Sequence, residues 1–426
     1  MTTGVPDGSA FEPRLKPFPR ITDVQSLFRL TPVVQDIGDP GVDDGLTQDG
    51  ERIVCRYRFF RDCDRAPFVA SSDRFQALNA WYLADASLLA YATTPLTSTE
   101  DAALAGAEET IRAQISPALR RLFAAVARRD RTQGEVAVKV FVRSSPLVVG
   151  PLVDPVQCFV ADNGAIGIVA FRGTLPASLP NWLTDFEPAL VPLTRGDATS
   201  VAAVHCGFRQ AALALLDDRP QREGSGLKRD DPLGGAGIGL RAYLASRLKE
   251  NPGLLLWFTG HSLGAALATL AAYAVGNVQA LYTFGSPRVG DVRFAELFAE
   301  ADIPHYRFVH HDDVVPHVPI PLPPLFGYEH VGDLKYIAYA DEDAVRSDAP
   351  EPVAAKVSDS PALESQLGGT FAGGARWLFD EVGRLKIGFL ARSIDRLTDH
   401  APLYYSNLLW NSFVKERARL LGLPDP

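Results

Sequence analysis

Between an apolar run at residues 254–258 and a small-residue segment carrying Ala265, Ala266 and Ala268, the chain reads Gly260-His261-Ser262-Leu263-Gly264. A strand that turns into a helix over so few residues leaves no room for Cβ atoms flanking the bend, and glycine on both sides removes them. The serine is then held in a sharp turn with its hydroxyl projecting from the end of a sheet. The amide of Leu263 opens the following helix and points at any negative oxygen that forms beside that hydroxyl during acyl transfer. This segment predicts a strand-turn-helix unit and a nucleophilic serine, Ser262.

The surrounding sequence has the matching rhythm. Apolar runs at 156–160, 166–171, 254–258, 280–284 and 305–309 alternate with helical patterns at 210–216, 240–248, 265–275 and 292–300. Strands alternating with helices predict an α/β fold with a mostly parallel central sheet flanked by helices, and ligands in such sheets gather at the carboxyl ends of the strands. Upstream, residues 53–60 alternate in the manner of an edge strand. A helix is expected after Ser71 and Ser72, with Phe75, Leu78, Tyr82, Ala86 and Leu89 on one face. A second runs through Leu119, Leu122, Phe123 and Val126, its Arg120, Arg121, Arg128 and Arg129 forming a solvated face. Residues 1–52, rich in Pro, Gly and Asp, read as a partly irregular N-terminal extension before a single domain at 53–426. Residues 220–239 and 341–374 are polar and read as surface insertions.

Composition closes off other classes. The 426 residues are 46% hydrophobic, enough for a sizeable core, and 51 acidic against 42 basic side chains give a net charge of -9 that repels phosphate backbones. No nucleic-acid partner is expected. Cys55, Cys63, Cys158 and Cys206 show no C-x-x-C spacing and read as small buried groups, with a bridge between Cys55 and Cys63 left open. The longest apolar stretch, 263–284, is interrupted by Gly276, Asn277 and Gln279, so a helix, a turn and a strand are predicted there instead of a transmembrane segment. The first twenty residues lack the basic start and apolar core of a secretory signal, and a cytoplasmic location is the corresponding expectation.

A serine hydroxyl needs a base to take its proton and a carboxylate to orient that base. Serine, acid and histidine follow in that chain order on sheets of this kind, which sets aside His205 and His261; His305 lies inside an expected strand and His310 and His311 precede the acid sought, leaving His317, His330 and His400 as bases. The acid is sought just past the run 305–309, where Asp313 precedes the stiffening Pro316 and Pro319; Asp312 and Asp291 are its rivals. His310, His311 and Asp312 have metal-ligand chemistry, but adjacent side chains in extended chain diverge, so neither a metal nor any other cofactor is expected.

Several ordered motifs resemble the class 3 lipases, the fungal-type lipase family of the α/β-hydrolase fold. They are Phe171-Arg172-Gly173-Thr174, Asn181-Trp182, Val204-His205-Cys206-Gly207-Phe208, the serine segment, Tyr282-Thr283-Phe284-Gly285-Ser286-Pro287-Arg288-Val289-Gly290-Asp291, and Asp313-Val314-Val315-Pro316-His317-Val318-Pro319. Weaker likeness lies around residues 79–91 and Asp399-His400. The resemblance implies Asp313 as the acid and His400 as the base, with His330 a non-catalytic, hydrogen-bonded histidine and His205 structural. It implies Thr174 and Leu263 as oxyanion donors. It also implies a lid at 175–188, where Leu179, Trp182, Leu183 and Phe186 form a helical apolar stripe that meets lipid when open. Pro176, Pro180 and a longer spacing before Asn181 depart from the usual lid pattern. The implied activity is hydrolysis of lipid-like carboxylic esters, triacylglycerols first among them. Apolar residues at 322–326 are available to an acyl chain.

Overall fold

The computed structural model describes residues 35–36, 45–49, 52–70, 72, 74–92, 101–130, 135–144, 155–175, 189–193, 202–218, 237–319, 321, 327–337, 345–346 and 399–420. Its centre is a sheet of eight strands: β1 (Ala137–Arg143), β2 (Val156–Asp162), β3 (Ile166–Phe171), β4 (Leu255–His261), β5 (Ala280–Phe284), β6 (His305–His310), β7 (Asp333–Ile337) and β8 (Val345–Arg346). They lie side by side in chain order. From β3 to β7 every neighbour is parallel, while β1, β2 and β8 run antiparallel to their neighbours. The predicted α/β class and mostly parallel sheet are observed. Every residue of β2, β3, β5 and β6 is buried, which is why β3 reads as a continuous apolar run and the others as apolar runs with a few buried polar residues.

The helices are α1 (Ala77–Leu89), α2 (Asp101–Asp130), α3 (Cys206–Leu216), α4 (Leu240–Glu250), α5 (Leu263–Val275), α6 (Val292–Glu300) and α7 (Pro402–Leu420). Parallel strands laid down in chain order and joined by right-handed crossovers put the connecting helices on one face. The opposite face has to be covered by helices from outside the crossovers. Here α1, which precedes the sheet, packs across β3, β4 and β5, and α7, from the end of the chain, packs on α1. Trp81 of α1 and Trp410 of α7 meet with ring centroids 4.4 Å apart, both fully buried. Truncating either to alanine would cost about 3–5 kcal/mol. Asp85 of α1 accepts from Tyr57 at 2.6 Å, from the Phe60 amide at 2.8 Å, and from Ser406 of α7. The start of α7 is thereby fixed, and His400 lies just before it.

Several expectations are corrected. α1 begins at Ala77, and it is buried from Asn79 to Leu89 instead of along one face, because sheet and α7 enclose it. The strand expected at an edge, Arg52–Tyr57, is the middle one of a small separate sheet, between Gln35–Asp36 and Gly45–Asp49. Cys63 is the small buried group expected, a free thiol pushed up to a pKa of about 11 by burial and by Asp64, with its Sγ 3.7 Å from the Arg121 carbonyl. Of the α2 arginines, Arg120, Arg128 and Arg129 are exposed, as a solvated face requires, while Arg121 is half-buried; Arg121 and Arg129 donate to the carbonyls of Phe59 and Phe68, and Arg128 pairs with Asp64. β1, β7 and α7 carry no expectation from the sequence. The expected insertions lie almost wholly outside the described residues, whereas the boundary expected at 52–53 falls within the strand Arg52–Tyr57. Among the described residues no helix is long and apolar enough to cross a membrane.

Candidate active site

Ser262 joins β4 to α5 at φ 60° and ψ -130°, a conformation that costs a non-glycine residue about 1–3 kcal/mol. Its amide donates to the Phe284 carbonyl at 2.9 Å, which locks the bend to β5. The flanking glycines are required by close approach: a Cβ on Gly260 would lie 2.8 Å from the Ala265 nitrogen, and one on Gly264 2.7 Å from the Arg172 carbonyl carbon. Ser262 is 1% exposed, and its Oγ has no hydrogen-bond partner among the described residues.

The carboxylate and imidazole come from the next strand end and the chain's last helix. After β6 the chain turns at His311, φ 39°, and the Asp313 amide closes the turn on the His310 carbonyl at 2.8 Å. Asp313 is fully buried. His400 Nδ1 lies 2.9 Å from Asp313 Oδ1 and 2.8 Å from Oδ2. Oδ1 also accepts from the Val315 amide at 2.9 Å, and Oδ2 from the Tyr405 hydroxyl at 2.5 Å. Burial alone would raise the Asp313 pKa, but the charge of His400 and the hydrogen bonds from His400, Tyr405 and Val315 bring it below the usual carboxylate value. Nδ1 donates to this carboxylate, so Nε2 is the basic nitrogen. It is buried and has no partner among the described residues.

Gly285 follows Phe284, which holds the Ser262 amide, and a Cβ there would lie 2.7 Å from Asp313 Oδ2 and 2.8 Å from His400 Nδ1. The serine bend and the aspartate-histidine pair are therefore divided by little more than one glycine. Thr174 follows Gly173, where a Cβ would lie 3.0 Å from that of Ser262. Thr174 is buried, and its Oγ1 has no partner among the described residues. Leu263 is the first residue of α5, as expected. The structure brings Ser262, Leu263, Thr174, Asp313 and His400 to the carboxyl ends of β3, β4 and β6. Leu179, Trp182, Leu183, Phe186 and residues 322–326 lie outside the described residues.

The rivals have other work. Asp291 caps α6, accepting from the Phe294 amide at 2.8 Å. His330 Nε2 donates to the Pro316 carbonyl at 2.9 Å, and His205 caps α3. The Asp312 amide reaches Asp399 Oδ2 at 3.4 Å. Sequence reasoning missed Tyr405 and the ring of His261, whose partners lie 92 and 139 residues away respectively, at distances no local pattern encodes.

Residues 168–322 match the family profile described as Lipase (class 3), which takes in Thr174, Ser262 and Asp313, while His400 lies beyond it. The secreted mono- and diacylglycerol lipase 1 of Fusarium solani is 30% identical over 196 residues, covering 44% of this chain and 50% of that protein. A lipase of Rhizomucor miehei is 31% identical over 188 residues, 42% of this chain and 43% of its own. The triacylglycerol lipase OBL1 of Ricinus communis is 32% identical over 202 residues, 40% of this chain and 37% of its own. The chain thus spans half or less of the length of these curated relatives. The resemblance read from the motifs is borne out over this middle segment.

Proposed function

We propose, from the premise that residues 168–322 are a class 3 lipase segment, that this protein hydrolyses lipid-like carboxylic esters through an acyl-serine intermediate. The observation that carries the reading is the pairing of His400 Nδ1 with the buried Asp313 carboxylate, which leaves Nε2 as the basic nitrogen; neither it nor the hydroxyl of the strained Ser262 has a partner among the described residues. His400 takes the Ser262 proton as Oγ bonds to the ester carbonyl carbon. The Leu263 amide, at the start of α5, and Thr174 receive the developing oxyanion. Collapse breaks the ester C–O bond, and the alcohol leaves with the proton from His400. Water, deprotonated by His400, then attacks the acyl-serine; the acyl C–Oγ bond breaks, His400 returns the proton to Ser262 Oγ, and the carboxylic acid is released. Asp313 stays ionised throughout and fixes the imidazole tautomer.

Ser262 and His400 are 1% and 2% exposed, which fits a site that opens before an ester enters. In this reading the apolar residues Leu179, Trp182, Leu183 and Phe186, which the family resemblance assigns to a lid, supply the transient contact with a lipid interface. Relatives named for triacylglycerol and for mono- and diacylglycerol favour neutral glycerides as substrate. Ser262→Ala abolishes hydrolysis of a nitrophenyl acyl ester and labelling by a fluorophosphonate; turnover retained by that variant overturns the mechanism. An acyl-chain profile across the substrate's solubility limit tests the interface, with a jump in rate above the limit expected.

A further inference from the structure

His261 directly precedes the nucleophile, and its ring makes contacts that a strand-turn-helix bend does not demand. Nε2 lies 2.7 Å from the main-chain carbonyl oxygen of His400, and Nδ1 lies 2.7 Å from the hydroxyl of Tyr91. A carbonyl oxygen only accepts, so Nε2 carries the proton and Nδ1 accepts from Tyr91. The two imidazole rings lie with centroids 4.4 Å apart, tilted by 35°. Burial and the neighbouring His400 hold the His261 pKa well below the usual range, so the ring stays neutral and keeps this tautomer. His310 Nδ1 meets the preceding carbonyl, that of Asp399, at 2.9 Å. Two successive carbonyls ahead of α7 are therefore taken by ring N–H groups from the ends of β4 and β6.

We propose that His261 is a positioning residue: it pins the main chain of the base to the residue next to the nucleophile. The inference rests on the serine-hydrolase reading above. Ser262 and His400 share no hydrogen bond in the structure, yet proton transfer needs Oγ and Nε2 brought to bonding distance with small error. The covalent path from His261 to His400 runs through 139 residues. The Nε2–H bond to the His400 carbonyl closes that path in one step, so the bend and the base move as one body. A ring that merely filled space would affect folding and leave the rate per folded active site unchanged.

The test uses the full chain with His261→Leu, His261→Gln, His261→Asn and Tyr91→Phe. Active sites are counted by fluorophosphonate titration, melting is recorded, and kcat and KM are measured on a soluble nitrophenyl ester per titrated site. His261→Leu is expected to lower kcat about tenfold or more with KM within about twofold. His261→Gln, whose amide nitrogen falls near the place of Nε2, is expected to return kcat to within about threefold of the parent. Tyr91→Phe, which frees the tautomer, is expected to lower kcat about two- to fivefold. The proposal is overturned if His261→Leu keeps the parent kcat per site. Should His261→Leu fail to fold, the Gln and Asn variants decide: Asn places its nitrogen near Nδ1, so a fast Gln and a slow Asn support the proposal and equal rates overturn it. The serine-hydrolase reading fails separately, through a parent chain that is not labelled at Ser262 or an active Ser262→Ala.

Discussion

The hydroxyl of Tyr405 donates to Oδ2 of Asp313 at 2.5 Å, and the same oxygen lies 2.8 Å from His400 Nδ1. Tyr405 stands in the first turns of α7, five residues past His400, so one helix start carries both the base and a second group that holds its carboxylate. The phenol oxygen also accepts from the His310 amide at 3.0 Å, which ties α7 to the end of β6.

Tyr405→Phe removes a donor from a buried carboxylate and orphans the His310 amide. The expected outcome is a stability loss of about 1–3 kcal/mol and a kcat lowered about tenfold, checked by denaturant unfolding and steady-state kinetics. Asp313→Asn leaves the shape but presents the wrong hydrogen-bonding partner to His400, and kcat should fall on the order of 10⁴-fold. A kcat unchanged in Asp313→Asn would remove this carboxylate from the mechanism.

The Thr174 hydroxyl is buried and unpartnered, a cost with no structural return. If it serves the oxyanion, Thr174→Val lowers kcat by on the order of 10²-fold while stability stays level or rises, because an unsatisfied polar group is gone. Thr174→Ser retains most of the rate. A Val variant that loses stability and keeps its rate reverses this assignment.

Gly285 has φ 57°, and the atoms nearest a Cβ there belong to Asp313 and His400. Gly285→Ala strains the backbone by about 1–3 kcal/mol and pushes the imidazole off its carboxylate. Activity should fall further than the melting temperature suggests. Fluorophosphonate labelling rate against thermal unfolding checks the two separately.

Burial holds four histidines below their ordinary pKa: His261, His330, His310, and His305, which is lowered to about 3 by burial and by Arg307. Unfolded imidazoles protonate at about pH 6.5, so below that value the unfolded chain binds more protons than the folded one. The contribution of these histidines is therefore flat above neutrality and falls as pH drops from about 6.5, by up to about 1.4 kcal/mol per pH unit for each such histidine. His305→Gln should flatten that slope by one proton, measured by denaturant unfolding from pH 7 to pH 5; an unaltered slope would show that His305 takes up its proton in the native state.

How much was legible follows from sequence separation. The runs that became β3 and β5 were read to their ends because complete burial makes them apolar segments. β1 was missed although Ala137–Arg143 alternates, since it is an outer strand with a half-buried first stretch. α7 was missed because its residues are dictated by a fit to α1, as with Trp410 against Trp81. At the site, Gly260 and Gly264 announced the bend around Ser262, whereas Asp313 and His400 were singled out by resemblance after chain order had left three bases open.

The amino-acid order alone determined the bend at Ser262 and the alternation of strand and helix, because both depend on backbone sterics and burial within a few residues. It could not decide which histidine reaches the serine, nor that His261, Tyr405 and Asp85 anchor the arriving segment. Those contacts join residues far apart in the chain and exist only after α7 has packed on α1 and closed the second face of the sheet.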